Sequence, residues 1–461
     1  MNFFLSILRF FVPPPVTIRP GRRLATGWLL LVLAGVPGLG ATELAPFLDA
    51  NGAFWEQSPD SFMVEQPQPR VFHWLAEDRH TEANYLADRS REKLTFLAMP
   101  VSEAMIRFAK ERPARIELSL FSRGDDGAMN IKGFEQAVEH ICGTVSQWTG
   151  NPGVAGSRQR VVGDMVVMQR GWAFGKYRAE LTWNAPSGNT RKFRAEYINL
   201  AIEPNDDGAA ARKPNGAQLA ATTGKMDLKN NVKTDPSGDV HIEGLPMVDQ
   251  GNKGYCAAAT AERILRYYGA EVNMHMIAQL ADTTSGGGTD MDFMVQMLRK
   301  ASTKLGVSTK ALKELDTQGL LRELDRYNSM ARRAKVRPLT IPTSGAINLT
   351  ELLSNLDPAV WKQFKTEKEK SDYVRFQDDI IRYIQIGIPL AWTVQLGLYP
   401  EEKISSQASG GHMRIILGYN SKTKEILYTD SWGRGHEFKR MPADNAWAIT
   451  IALHALEPKR L

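Results

Sequence analysis

The chain of 461 residues contains only two cysteines, Cys142 and Cys256. Small proteins that are stabilised by disulfides contain many more cysteines for their length, so a disulfide framework does not hold this chain together. A cysteine outside a disulfide is either a small buried hydrophobic residue or a reactive thiol. Each of the two therefore has to be assigned from its surroundings.

Two other features are scarce after the N-terminal leader. No apolar run reaches the about 20 residues that a membrane-spanning helix requires, and no stripe of basic residues is interleaved with aromatic ones. The formal net charge is +6, but four of these charges come from arginines that precede the first acidic residue: Arg9, Arg19, Arg22 and Arg23. We therefore expect no nucleic-acid partner and no membrane-spanning domain beyond the leader.

The leader, residues 1–41, has a basic segment, an apolar run from Leu24 to Val36 and then small residues. This order is typical of a secretory signal peptide, with cleavage near Gly40 or Ala41. We expect an exported protein that is periplasmic, extracellular or associated with the cell envelope. An uncleaved N-terminal anchor is the alternative.

The rest of the chain divides by composition. Residues 43–202 combine alternating and helical patterns and predict a mixed α+β accessory domain of unknown role. Residues 203–240 are rich in proline, glycine, asparagine and lysine, which predicts a linker. Residues 241–461 predict a second α+β domain, with a polar helical insertion at about 309–382 and four apolar, strand-like segments near its end.

The first predicted domain contains a helix pattern at 130–150, in which apolar residues recur at helical spacing up to a glycine. Cys142 lies on the apolar face of this helix, so we interpret it as a buried structural thiol. Asp125 and Asp126 follow a predicted strand at an Asp-Gly turn, and turn chemistry explains both without a binding site.

Cys256 begins the helical pattern CAAATAERILRYYG. At the start of a helix, unpaired backbone N–H groups and the helix dipole stabilise a thiolate. Gly251 and Gly254 permit a tight turn just before the helix. A nucleophilic cysteine also requires a base and a group that orients the base.

His412 is the best candidate for the base, because it follows two glycines and begins an apolar strand in SGGHMRIILGYN. The turn after this strand leads to EILYTDSWG, and antiparallel pairing places Asp430 to Trp432 nearly opposite His412. Asp430 is therefore expected to contact the imidazole. Gln250, six residues before Cys256, can supply an amide to an oxyanion hole.

Three motifs thus occur in a fixed order: Gln-Gly-x-x-Gly-x-Cys at 250–256, Gly-His at 411–412 at the start of a strand that ends in Gly-Tyr, and Asp-Ser-Trp-Gly at 430–433. This order resembles papain-like cysteine peptidases and, among them, the peptidase C39-like branch. The resemblance covers residues 240–461. It implies a papain-like C-terminal domain and a thiol peptidase that acts on a peptide or protein substrate.

The resemblance also implies a role for each residue of the motifs. Cys256 would be the nucleophile, His412 the base and acid, and Asp430 the group that orients it. Gln250 would donate a hydrogen bond to the oxyanion. The residues that flank these four are predicted to bind substrate, with the tryptophan also shielding the His–Asp pair: Gly254, Tyr255, Gly411 and Trp432.

Some features depart from the family pattern. Ala257 follows the nucleophile in place of the tryptophan usual in papain. The third member of the triad is Asp430 rather than asparagine, which C39-like enzymes commonly accept. C39 enzymes that trim bacteriocin leaders usually sit on a transporter, and this sequence has neither a bundle of membrane helices nor a Walker motif, so that role is not expected.

Two other functions stay open. The same triad can transfer an acyl group to an amine instead of to water, as a transglutaminase-like enzyme does. The domain can also be a non-catalytic binding protein on a peptidase fold. We expect no metal or other cofactor, because His275 and His436 lack metal-ligand spacing. The sequence does not indicate an oligomeric state.

Overall fold

The computed structural model describes residues 41–49, 53–66, 70–156, 158–162, 165–186, 193–205, 227–270, 272–280, 307–314, 317–342, 349–401 and 410–458. Residues 1–40 of the predicted leader and residues 206–226 of the predicted linker lie outside these ranges. Within the described part of the chain, no helix is long and apolar enough to cross a membrane.

The N-terminal region consists mainly of strands. They are β1 (Ala41–Glu43), β2 (His73–Trp74), β3 (Glu82–Leu86), β4 (Lys93–Phe96), β5 (Met99–Val101), β6 (Glu103–Ala109), β7 (Arg112–Ser122), β8 (Val154–Ala155), β9 (Gln159–Val162), β10 (Met165–Phe174), β11 (Tyr177–Ala185) and β12 (Tyr197–Pro204). An antiparallel sheet has the order β2-β3-β6-β7-β12-β11-β10-β8, with β9 beside β10. A small second sheet has the order β1-β4-β5.

Short helices α1 (Pro59–Glu65) and α2 (Arg123–Asp126) accompany the long helix α3 (Ile131–Thr149). The Asn130 side chain caps α3 by accepting the Gly133 N–H at 2.8 Å, which satisfies a backbone donor at the helix start. The apolar side of α3, which includes Cys142, is buried in a hydrophobic core with the strands. The helix predicted at 130–150 and the buried position of Cys142 are confirmed.

The C-terminal region is built on a third sheet, which is antiparallel. Its strands are β13 (Val232–Thr234), β14 (Asp239–Ile242), β15 (Val307–Lys313), β16 (Leu390–Leu396), β17 (Gly410–Asn420), β18 (Glu425–Thr429), β19 (Lys439–Pro442) and β20 (Thr450–Pro458). The order is β13-β14-β17-β16-β20-β15, while β18 pairs with β17 and β19 pairs with β18.

Helices cover this sheet and enclose a second hydrophobic core. They are α4 (Cys256–Tyr267), α5 (Met274–Leu280), α6 (Thr317–Arg333), α7 (Leu349–Ser354), α8 (Pro358–Gln363), α9 (Lys370–Gln385) and α10 (Ala443–Ile449). The mixture of helices and sheets confirms the predicted α+β class.

The structure differs from the sequence pattern at three places. The helical stretch expected at 309–382 begins with the strand β15. Its sequence is polar and does not indicate a strand, because β15 lies at the edge of the sheet and pairs with β20 alone on the sheet's path. The last predicted strand begins with α10 instead, since Trp447 turns into the helical core and donates its indole N–H to the Lys365 carbonyl. The end of the predicted linker contains β13 and β14, which join the C-terminal sheet.

Helix α4 packs directly against β17. Its residues Ala257, Ala258 and Ala259 are fully buried, and such small side chains let a helix approach a sheet closely. The Thr260 hydroxyl donates to the Met413 carbonyl oxygen at 3.3 Å. The start of α4 and the start of β17 are thereby held together.

The turn between α9 and β16 allows a stability test. Gly387 has φ +79°, and a Cβ there would collide with the Leu228 carbonyl. We expect Gly387→Ala to lower the free energy of unfolding by about 1–2 kcal/mol for the left-handed backbone and by a further 1–3 kcal/mol, roughly, for the overlap.

Gly244→Ala is the matched control, since Gly244 has φ +78° with open space around it. It should lose the backbone contribution alone. Denaturant unfolding of both variants measures the difference, and equal losses would show that the contact with Leu228 is not tight.

Candidate active site

Cys256 is the first residue of α4 and is partly exposed. The chain reaches it through a turn in which Gly251 has φ +59° and Gly254 has φ +70°. Other residues rarely adopt such angles, so the two glycines permit the turn that the sequence predicted. The thiol lies where the first N–H groups of the helix are free of intrahelical acceptors.

The thiol of Cys256 interacts with the imidazole of His412 at the start of β17. His412 is buried, and its Nε2 lies 3.2 Å from Oδ1 of Asp430. Because Nε2 faces the carboxylate, the other ring nitrogen, Nδ1, is left to meet the thiol. The structure therefore brings the three predicted triad residues together in the expected order.

The environment favours the ionised form of this pair. Burial raises the pKa of Cys256, but the hydrogen bond and charge of His412 and the backbone N–H groups of Met413 and Ala257 outweigh it, so the pKa of the thiol lies below its usual value. Burial lowers the pKa of His412, yet its contacts with Asp430 and Cys256 raise that pKa overall. A thiolate beside an imidazolium is thus stabilised.

Asp430 is completely buried among cations. Its Oδ1 lies 2.9 Å from Nε of Arg414, and its Oδ2 lies 2.8 Å from Nζ of Lys439. Burial raises the pKa of Asp430, but the charges of Arg414 and His412 and the imidazole of His436, whose Nδ1 lies 3.8 Å from Oδ2, hold it well below its usual range. The carboxylate therefore stays charged while it orients the imidazole.

The sequence interpretation missed both Arg414 and Lys439. Arg414 lies two residues after His412 on β17, so strand alternation places both side chains on one face and was a usable signal. Lys439 belongs to β19, which the sequence pattern did not predict, and no local signal pointed to it.

Gln250 is fully buried, and its side chain has a fixed orientation. Its Oε1 accepts a hydrogen bond from the Ser431 hydroxyl at 2.5 Å, and its backbone N–H donates to the Ser431 carbonyl at 2.9 Å. Its Nε2 has no hydrogen-bond partner among the described residues. Leaving a buried amide donor without a hydrogen-bond partner costs free energy of folding. Ser431 holds this amide in place, and the sequence analysis did not identify that residue.

Trp432 stacks on the ring of His412, with centroids 4.2 Å apart and an angle of 9° between the planes. It is buried, so it covers the imidazole from solvent. A β-bridge joins the backbone of Trp432 to that of Asp249, next to Gln250. The position agrees with the shielding role expected for this residue.

The other predicted substrate-binding residues divide into two groups. Gly411 is exposed and directly precedes His412, and Gly254 is partly exposed and lies two residues before Cys256. Tyr255 is 2% exposed, so the structure differs from the prediction that it binds substrate. Its ring lies against Gly124 and packs edge-on to His275, because it fills a contact with the N-terminal region.

The two thiols should differ in their alkylation by iodoacetamide. Burial raises the pKa of Cys142, whereas the pKa of Cys256 is lowered, so the thiolate of Cys256 forms at lower pH. We expect the rate at Cys256 to rise with pH through a midpoint below that of an ordinary thiol, and Cys142 to react slowly. In His412→Ala the Cys256 midpoint should move up, since burial then dominates.

Measuring the rates between pH 5 and 10, roughly the span of thiol and imidazole titrations, in a Cys142→Ala background isolates Cys256. A midpoint that His412→Ala does not change would exclude a thiol–imidazole pair.

Comparison with protein families identifies two matched segments in the C-terminal region. The model of the Peptidase C39 family matches residues 245–328, and that of the Peptidase C39 like family matches residues 353–451. No curated protein sequence matches the chain. The first segment contains Gln250 and Cys256, and the second contains His412 and Asp430. The C-terminal region thus carries peptidase C39 family domains, as the motifs predicted, which indicates a cysteine peptidase.

Proposed function

We propose that the protein hydrolyses peptide or amide bonds through a triad of Cys256, His412 and Asp430, with Gln250 as an oxyanion donor. The observation that carries the proposal is the chain of contacts from the partly exposed thiol to the buried imidazole and the buried carboxylate. A structural cysteine has no need of a histidine that is itself oriented by a buried charge. The chemistry of an activated nucleophile requires both.

In the first step, the thiolate of Cys256 attacks the carbonyl carbon of the substrate. A sulfur–carbon bond forms, and the electrons of the carbonyl double bond move to its oxygen. The unpartnered Nε2 of Gln250 and the backbone N–H of Cys256, the first residue of α4, are donors for this negative charge. Donors that are fixed in advance stabilise the developing oxyanion without reorganisation.

In the second step, the imidazolium of His412 gives its proton to the leaving amine, the carbon–nitrogen bond breaks and a thioester remains. His412 is then neutral and removes a proton from a water molecule, whose oxygen attacks the thioester. The carboxylic acid product is released, the thiolate of Cys256 re-forms and His412 keeps the proton that it took from water. Asp430 stays ionised and holds the ring throughout.

Variants of the nucleophile and the oxyanion donor test this function. We expect Cys256→Ala to abolish hydrolysis of a peptide library, because no other group can form the thioester. Gln250→Ala should lower kcat about 100- to 1,000-fold with little change in KM, since the lost hydrogen bond acts on the oxyanion. Mass spectrometry of the products and steady-state kinetics on one cleaved peptide measure both effects.

Each variant has a matched control in the chain. Cys142→Ala removes the other thiol, and Gln169→Ala removes a buried amide whose Oε1 also lacks a partner among the described residues. Both should retain activity. Hydrolysis that persists in Cys256→Ala would refute the mechanism, and amide adducts that replace hydrolysis when an amine is added would identify an acyltransferase.

We also propose that the protein is exported. The support is the order of basic, apolar and small residues in the leader. Expression of the full chain in its native host should give a mature protein that begins near Ala41 outside the cytoplasm. Fractionation and N-terminal mass spectrometry measure this, and an intact leader in a cytoplasmic protein would rule export out.

A further inference from the structure

The segment 249–255, which we call the nucleophile loop, has contacts on two sides. It carries Gln250 and leads into Cys256, which belong to the candidate site. Between them, Lys253 turns into the interior, and its side chain is 1% exposed. Its Nζ lies 3.1 Å from Oε2 of Glu103 and 3.4 Å from Oδ2 of Asp125, both in the N-terminal region.

Further contacts join the same loop to the N-terminal region. The backbone N–H of Asn252 donates to Oδ2 of Asp88 at 3.0 Å. The Asp249 carboxylate lies 2.7 Å from the guanidinium of Arg89. With the ring of Tyr255 lying against Gly124, four residues of the loop touch the N-terminal region.

The carboxylate of Glu103 has a second role at this contact. Its Oε2 also lies 3.3 Å from Nε2 of His275 on α5, whose Nδ1 is 3.3 Å from the Ser122 hydroxyl. Burial raises the pKa of Glu103, but Lys253 and His275 lower it to about 2. Glu103 is thus a fixed negative charge between the loop and the helix that follows α4.

The start of the loop is held by the hydrogen bonds of Gln250 with Ser431 and by the bridge between Asp249 and Trp432. Gly251 and Gly254 lie on either side of Lys253, and glycine leaves the backbone free to adopt many conformations. A buried ammonium group can leave its carboxylates only at a large cost in desolvation. The ion pair of Lys253 therefore restrains the part of the loop between the two glycines, and Gln250 lies three residues away on the same loop.

We propose that Lys253 is a positioning residue for the reaction: its ion pairs with Glu103 and Asp125 fix the nucleophile loop and, together with the hydrogen bonds of Ser431, hold the Gln250 amide in place. The N-terminal region is then a part of the active-site scaffold and not a removable pro-segment. This inference rests on the proposed function, since Gln250 matters only if an oxyanion forms.

Lys253→Met in the full chain tests the inference, because methionine keeps much of the volume and removes the charge. We expect kcat to fall about 10- to 100-fold, as for a misplaced catalytic group, with KM nearly unchanged. Hydrogen exchange of the 249–255 amides should become faster. Glu103→Gln, which keeps the side-chain shape on the N-terminal side, should give the same pattern more weakly and serves if Lys253→Met does not fold.

Lys365→Met is the matched control. Lys365 is also 1% exposed and is paired with two glutamates, at 2.9 Å from Glu323 and 2.5 Å from Glu369, within the helical part of the C-terminal region. The substitution Lys365→Met removes an equally buried ammonium group from a part of the protein that has no role in the proposed mechanism. We expect a loss of stability with kcat and loop exchange unchanged.

Two outcomes are decisive. Lys253→Met and Glu103→Gln variants whose kcat and loop exchange match those of Lys365→Met would overturn the inference and leave the peptidase proposal standing. Hydrogen exchange needs no substrate and can be measured even if the unsubstituted protein cleaves no peptide. In that case, faster exchange of the loop in Lys253→Met would support the anchoring by Lys253, while the absence of cleavage would refute the proposed function.

Discussion

The contact between the thiol of Cys256 and the imidazole of His412 is the interaction on which the candidate site depends. It joins the first residue of α4 to the start of β17, two elements that are far apart in the chain. Fully buried alanines on α4 make the close approach possible. Since a protein interior is tightly packed, even a small change in this helix–sheet distance would separate the two groups. The core of the C-terminal region therefore determines the chemistry as much as the reactive residues do.

Different elements position the two sides of the candidate site. His412 lies on a central strand, with Trp432 stacked on its ring and Asp430 behind it. Gln250 lies on a loop with glycines at intervals, and this loop is restrained from the N-terminal region through Lys253. The position of His412 thus depends on the sheet, whereas that of Gln250 depends on Ser431 and on the buried ion pairs of Lys253.

Sequence reasoning reached the features that local patterns encode. The meeting of His412 and Asp430 followed from the hairpin of β17 and β18, and the position of Cys256 followed from a helix pattern after a glycine-containing turn. Partners from distant elements have no such local signal. For this reason Asp125, whose carboxylate forms an ion pair with Lys253, was interpreted from the sequence as a turn residue. The strand β15 was missed for a related reason, because its partner β20, rather than its own composition, makes it a strand.

The buried position of Asp430 constrains how this site can vary. Papain-like enzymes commonly have asparagine as the third residue, and asparagine could orient His412 through its amide. Here the exchange would remove a buried carboxylate that faces both Arg414 and Lys439, while Arg414 keeps its ion pair with Glu401 at 2.9 Å. Removing one member of a buried charge cluster is unfavourable. Positions 414, 430 and 439 are therefore coupled, and a substitution at one of them changes the electrostatic environment of the other two.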